Sequence, residues 1–401
     1  LSTLLTGATL PDGTTADVSI TDGRISAISA ISAIGAGDGG EAAEHTVDLR
    51  GFVLVPAFVE PHAHLDKAFL AEVIPNPKGD LLTAVLAMRD HHGRLSPENI
   101  AVRAERAIRT LVANGVTRIR THADCSTEHG LRSVEGIARA RAATAHLCDT
   151  EIVLLANFEP AMASLLREAF DAGADVVGGC PHLEPDPYAA MAGAFTLAAE
   201  LGRRVDLHTD ETLHADTLNL VDMASWVRSS GFPHPVAASH CVSLGVQSPA
   251  EQARIAALVA EAGIAVITLP QTNLFLQGRD HPQSTPRGLT AVRALLDAGA
   301  TVAGGADNLQ DPFNLMGRGD PLETAALLVM AGHLTPDEAL HAVTTAGRAA
   351  LGDDGGTLTV GAPADLVAVP GSSVREAMAF GPPGRWVWKA GTLVVRDGRI
   401  L

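Results

Sequence analysis

The sequence predicts an α/β protein: a (β/α)8 barrel carrying a small β-sandwich-like domain built from both termini. Three observations lead there. Eight short apolar, strand-like runs alternate with helical stretches through the middle of the chain. The two ends are instead rich in short β-prone pieces and turn signals. Histidines and acids collect just after the apolar runs, where a parallel barrel gathers its functional residues.

Taken in order, residues 1–55 hold β-prone pieces at 16–20, before Asp22-Gly23, and at 25–34, followed by a Gly/Ala-rich loop over 34–43. Residues 357–401 repeat that style, with strand candidates at 358–360, 365–369 and 394–395. One small domain from 1–55 and 357–401 is therefore expected. The barrel is expected over 56–356, with strands at 52–59, 116–121, 152–156, 175–178, 204–207, 236–239, 265–269 and 301–304. Helices are expected between them, for example at 97–113, 161–172, 189–201 and 249–262. Glycines such as Gly115 and Gly202 stand where helices must turn into strands. A doubly wound open sheet is the alternative, but no Gly-x-Gly-x-x-Gly follows the first strand.

The chain has 401 residues, of which 46% are hydrophobic and 19% charged, enough for a large buried core. The net charge of −17, from 46 acidic and 29 basic residues, disfavours nucleic acid and anionic membranes as partners. Cys125, Cys148, Cys180 and Cys241 are scattered, which fits a reducing compartment and no cysteine-bound zinc. With no apolar run of membrane-spanning length, a cytoplasmic protein is expected. The partner is expected to be a small molecule, and a homo-oligomer is compatible with the sequence.

His62 and His64 are the most informative pair. In an extended strand, residues i and i+2 point to one side, so both imidazoles can reach one point. A lone pair of this kind also occurs in ordinary cores. Here His122 and Asp124, His208 and Glu211, His240, and Asp307 and Asn308 follow other apolar runs. Each histidine alone fits a satisfied core position; five of the 16 at strand ends on one face do not. Three imidazoles and a carboxylate would hold one divalent transition metal with a position left for water, which the metal would activate. Glu211 is placed to shuttle protons, although an acid at a helix start is the plainer alternative. Lys67, Lys78 and Lys389 are the only lysines, and none follows strands 2 to 8. A lysine-bridged binuclear centre is thus disfavoured. Asp66-Lys67 reads equally as a pocket feature or a loop ion pair. His122 and Asp124 could orient a ligand or simply bond within the core. Residues 276–279 read as a loop anchor, or else as a substrate lid or an oligomer contact.

The ordered set Phe58-Val-Glu-Pro-His62-Ala-His64-Leu-Asp66, Arg120-Thr-His122-Ala-Asp124, Gly173-Ala-Asp-Val-Val-Gly178, Asp206-Leu-His208-Thr-Asp-Glu211, Ser239-His240, Leu276-Gln-Gly-Arg279, Gly305-Ala-Asp307-Asn308 and Asp311-Pro-Phe313 resembles the amidohydrolase superfamily. Within it, the chain is similar to the bacterial cytosine deaminase-like group, related to the N-isopropylammelide amidohydrolases. The resemblance implies metal ligands at His62, His64, His208 and Asp307, with zinc or iron as the metal. It further implies an acid/base role for Glu211, a role for His240 at the attacking oxygen and leaving group, and Asp307 as acceptor of the water proton. The implied reaction is hydrolytic removal of an exocyclic amine from a cyclic amidine. The ring-reading positions depart from the deaminase pattern: Asn157 stands for a glutamine, Asn308 for an acid and Phe313 for a tryptophan. The Asp307-Asn308 pair looks more like relatives that remove alkylamino groups from s-triazines. A catalytically silent ligand-binding relative is the rival from another class.

Overall fold

The computed structural model describes residues 2–30 and 43–401. Its centre is an eight-stranded parallel sheet in sequence order: Phe58–Ala63, Val116–Asp124, Asp149–Leu155, Val176–Gly179, Arg204–Thr209, Val236–His240, Ala265–Thr268 and Val302–Gly304, named here barrel strands 1 to 8. These strands are buried along nearly their whole length, as expected when helices cover one side and packed side chains fill the other. The first and last strands meet just past their ends. Ala63 bridges Asp307 in parallel, and Asp307 N donates to His62 O at 3.1 Å. The sheet is therefore a (β/α)8 barrel and not an open sheet.

The helices follow from local chemistry. Pro97–Ala113 begins at a Ser96 cap with proline in its first turn, and buries Ile100, Ala104, Ala107, Ile108 and Leu111 at three- and four-residue spacing. Pro249–Glu261 repeats the device with Ser248. Pro187–Leu201 ends at Gly202, whose φ of +63° suits the left-handed cap. Gly115 precedes barrel strand 2 at φ +99°, and a Cβ there would sit 2.8 Å from the Phe58 ring.

The second sheet has nine strands from both ends of the chain. Phe52–Pro56 pairs antiparallel with Leu366–Pro370 over five residue pairs and joins the N-terminal strands to the C-terminal ones. Leu5, Val18, Ile20, Ile25, Leu49, Leu54, Leu366 and Trp388 form an apolar cluster of their own beneath it.

Three expectations need correction. The run 52–59 is two strands in different sheets. Both are apolar because both are buried, and the chain crosses between sheets at Ala57, whose N–H donates to Asp365 O. Residues 358–360 form no strand; this segment is tied down through Gly361 N to Ile25 O and Ile25 N to Ala362 O. The piece expected at 25–34 is a strand over Arg24–Ala30, and the rest of it, with nearly all of the 34–43 loop, lies outside the described residues. Among the described residues, no helix is long and apolar enough to cross a membrane.

Candidate metal centre and active site

Barrel strand 1 delivers His62 and His64, strand 5 His208, strand 6 His240, and the segment after strand 8 Asp307. All five are buried. His208 Nε2 lies 3.2 Å from His62 Nε2 and 3.1 Å from His64 Nε2. Asp307 Oδ1 lies 3.4 Å from His64 Nε2 and 3.7 Å from His62 Nε2. No described group donates to either oxygen of Asp307 in hydrogen-bond geometry. Burial, followed by the Glu211, Asp311 and Glu60 carboxylates, drives Asp307 well above the usual carboxylate range. Burial first, and neighbouring cationic or imidazole groups second, holds His62, His64 and His208 well below theirs, so the rings are neutral.

Three neutral imidazoles and the Asp307 carboxyl group crowd together here as the side chains around a cation would. Ligand atoms about 2.0–2.2 Å from a common ion sit roughly 3–3.6 Å apart, close to the 3.1–3.7 Å of these contacts. The donor set is nitrogen and oxygen without sulfur, as expected for a borderline divalent metal.

His240 stands beside this cluster with φ +69°, and Asp307 has φ +67°, both rare for residues other than glycine. His240 Nδ1 is 3.1 Å from Asn273 Nδ2 and 3.4 Å from Glu211 Oε1. Asn273 thus bridges Glu211 and the Nδ1 side of His240, whose Nε2 faces Asp307 Oδ2 at 4.0 Å. Glu211 is buried, receives Asn273 Nδ2 at 3.4 Å, and is pushed by burial up to about 8.

These groups open into a cavity of about 200 Å³. Its floor is His64, His208, Glu211, His240 and Asp307. Leu81, Val85 and Met88, on the helix Leu81–His91, form an apolar wall. Asn157, Asn308 and Phe313 all line the cavity, as the sequence suggests. Their freedom differs. Asn308 is committed on both sides of its amide, donating to Asp311 Oδ2 at 2.9 Å and accepting from Thr272 Oγ1 at 3.3 Å. Asn157 Oδ1 has no partner among the described residues.

Lys67 combines the two readings open to it. It lines the cavity and is also locked in an ion-pair cluster, 2.9 Å from Asp124 and 3.2 Å from Asp66, with His64 Nδ1 at 3.2 Å. Gln277 anchors its loop to Glu211 O, and Arg279 folds back onto Phe275, so residues 276–279 are a structural anchor. Of the two readings of His122, hydrogen bonding within the core is not seen. Neither ring nitrogen has a hydrogen-bond partner among the described residues; instead the ring packs at 4.0 Å against His62. Asn273 and the wall helix border the site without standing out in the sequence, and Ser239 figures there only as the neighbour of His240.

A family model for the amidohydrolase family matches residues 70–395. The chain belongs to the amidohydrolase family. This amidohydrolase is 33% identical over 396 residues to a pterin deaminase of Rhizobium rhizogenes, covering 95% of this chain and 88% of that one. It is 24% identical to an N-isopropylammelide isopropyl amidohydrolase of a Pseudomonas species, over 88% of this chain and 89% of that one. Among solved structures it is similar to 5-methylcytosine deaminase from Klebsiella pneumoniae, liganded with 5-fluorocytosine. There the TM-score is 0.89, the identity 28%, and the coverage 99% and 97% of the two chains. The amidohydrolase family is metal-dependent, and two overlapping groups in this member, His62, His122 and His208, and His62, His240 and Asp307, could hold an ion.

Proposed function

We propose that this amidohydrolase is a metal-dependent deaminase that hydrolyses an exocyclic amine from a nitrogen heterocycle of the aminopyrimidine or aminopteridine type. The observation that carries the reading is the meeting of three imidazole Nε2 atoms and the Asp307 carboxyl group at the floor of a cavity that Glu211 also lines. His62, His64, His208 and Asp307 would hold one zinc or iron ion. When bound, such an ion supplies Lewis acidity that lowers the pKa of water toward neutrality.

The chain's own residues supply the rest. Glu211 holds a proton at neutral pH and delivers it to a ring nitrogen, which makes the adjacent amine-bearing carbon electrophilic. His240 turns its Nε2–H into the cavity, fixed there by Asn273, and orients the attacking oxygen. Asp307, ionised once it holds the cation, would accept one proton of the attacking water. The Glu211 carboxylate then takes the hydrogen of the hydroxyl added at the ring carbon and passes it to the amine, so that the C–N bond breaks, the carbonyl forms and ammonia leaves; the proton held by Asp307 returns to Glu211. Asn157 reads the ring edge with its unpartnered oxygen, Phe313 packs on the ring, and Asn308 shapes the pocket through Asp311. We also take 56–356 as the catalytic unit, 1–55 with 357–401 as a supporting β unit, and the cytoplasm as the compartment.

Removal of an alkylamine from an s-triazine is the second reading, favoured by Asn308 beside Asp307. Ammonia and alkylamine release across aminopyrimidines, aminopteridines and alkylamino-triazines, with metal content measured on the same samples, separates the two. Release from none of them by metal-replete protein refutes both.

A further inference from the structure

We propose that Ser239 and Asp206, backed by Arg120, are positioning residues that fix the ring tautomer of His62. Ser239 Oγ lies 2.9 Å from His62 Nδ1 and 3.0 Å from Asp206 Oδ1. Arg120 Nη1 donates to the other oxygen of Asp206 at 2.9 Å, while its Nε and Nη2 bond Glu151 Oε2 at 3.1 and 3.0 Å. Ser239, Asp206 and Arg120 are at most 1% exposed.

Hydrogen-bond grammar leaves one arrangement. A carboxylate only accepts, and a serine hydroxyl has one hydrogen to give. That hydrogen goes to Asp206, so the Ser239 oxygen can only accept from His62. Nδ1 of His62 must then carry the ring hydrogen, and Nε2 faces His208 and Asp307 with its lone pair. Nothing nearby competes: His122 Nε2, the other group close to Asp206 Oδ1, stands off at 4.0 Å.

The fold explains why these residues stand together. Asp206 and Arg120 precede His208 and His122 by two residues on their strands, so they point into the barrel one layer below the cluster. Ser239 comes directly before His240, where the left-handed backbone at φ +69° breaks the strand alternation. A layer of fixed polarity thus lies under the ligand layer.

The inference rests on His62 being a metal ligand, and two measurements keep the two ideas apart. Long-range 1H–15N correlation spectra of histidine-labelled full-length protein, as purified and after chelation, report the tautomer of each ring. The His62 signals are identified by their loss in His62→Gln. Nδ1–H is expected in both samples, and Nε2–H in either overturns the proposal whatever the variants do. Metal affinity by chelator competition is expected to fall about 10–100-fold in Ser239→Ala, with a mixed tautomer at His62, and to recover in Ser239→Thr. Wild-type affinity in Ser239→Ala overturns the proposal, provided His62→Ala loses the metal. Wild-type affinity in His62→Ala instead removes the ligand reading, and the tautomer measurement still decides the relay.

Discussion

Glu211→Gln gives the sharpest test of the proposed chemistry. The substitution is nearly isosteric, leaves the backbone carbonyl that Gln277 holds, and keeps an oxygen for Asn273. What it removes is a transferable proton. With burial pushing the carboxyl up to about 8, Glu211 keeps its proton at neutral pH and is well poised for acid catalysis. Turnover should fall by about 10²–10⁴-fold, the usual contribution of a general acid–base group. Metal content and binding of an inert analogue should stay unchanged. The wild-type kcat/KM should decline as pH rises through about 8, and the variant's residual rate should lose that limb. Stability carries the same signature. In the metal-free unfolded chain Glu211 ionises above its ordinary 4.5, while the folded protein resists ionisation up to about 8. Glu211 therefore contributes a loss of stability as pH rises across that window, and Gln removes that contribution. Steady-state kinetics, elemental analysis and thermal melts from pH 5 to 9 read all three. Near-normal turnover with metal retained would strike Glu211 from the mechanism, and loss of metal would make it a ligand.

His208→Ala should empty the metal site, because His208 Nε2 alone approaches both His62 and His64 within 3.2 Å; unchanged occupancy on elemental analysis means the ligand set is wrong. His240→Asn should lower kcat with the metal in place, since His240 reaches Asp307 only at 4.0 Å, and a variant that keeps full kcat contradicts its role. Cytosine should be a poor substrate, because Asn157 is shorter than glutamine and Asn308 is already committed. Each lost buried contact costs about 1–3 kcal/mol, or roughly 5–150-fold, and a kcat/KM for cytosine near ~10⁵–10⁶ M⁻¹s⁻¹ would refute this.

The parts of the site legible in the sequence are those fixed by strand geometry. His62 and His64 share a side because residues i and i+2 must, and apolar runs before His208, His240 and Asp307 mark strand ends in any parallel barrel. Asn273 was not legible, since it comes from the short helix Pro270–Leu276 after strand 7 and reaches His240 only through the barrel's curvature. The helix Leu81–His91 escaped for a different reason. Its inner side faces the cavity and its outer side exposes Leu82 and Leu86, so it lacks the one-sided stripe that marks a surface helix. The 52–59 run misled because burial in either sheet gives the same apolar signal, and only the pairing of Phe52–Pro56 with Leu366–Pro370 separates them.

Closure of the barrel and assembly of the site are one event in this fold. The Glu60 carboxylate, pushed by burial up to about 8, accepts from Ala306 N at 2.9 Å and His62 N at 3.2 Å. It thereby ties the first strand to the segment that follows the last. Asp307 N completes the seam by donating to His62 O, with Asp307 itself in a left-handed backbone that turns its side chain toward the histidines. Such a conformation costs of order 1–3 kcal/mol, and His240 adds a second residue of this kind. The seam that joins strand 1 to strand 8 supports this strain with paired backbone groups on both sides. A cation held between His62 and Asp307 would draw on both edges of that seam, so its position would depend on the closed barrel.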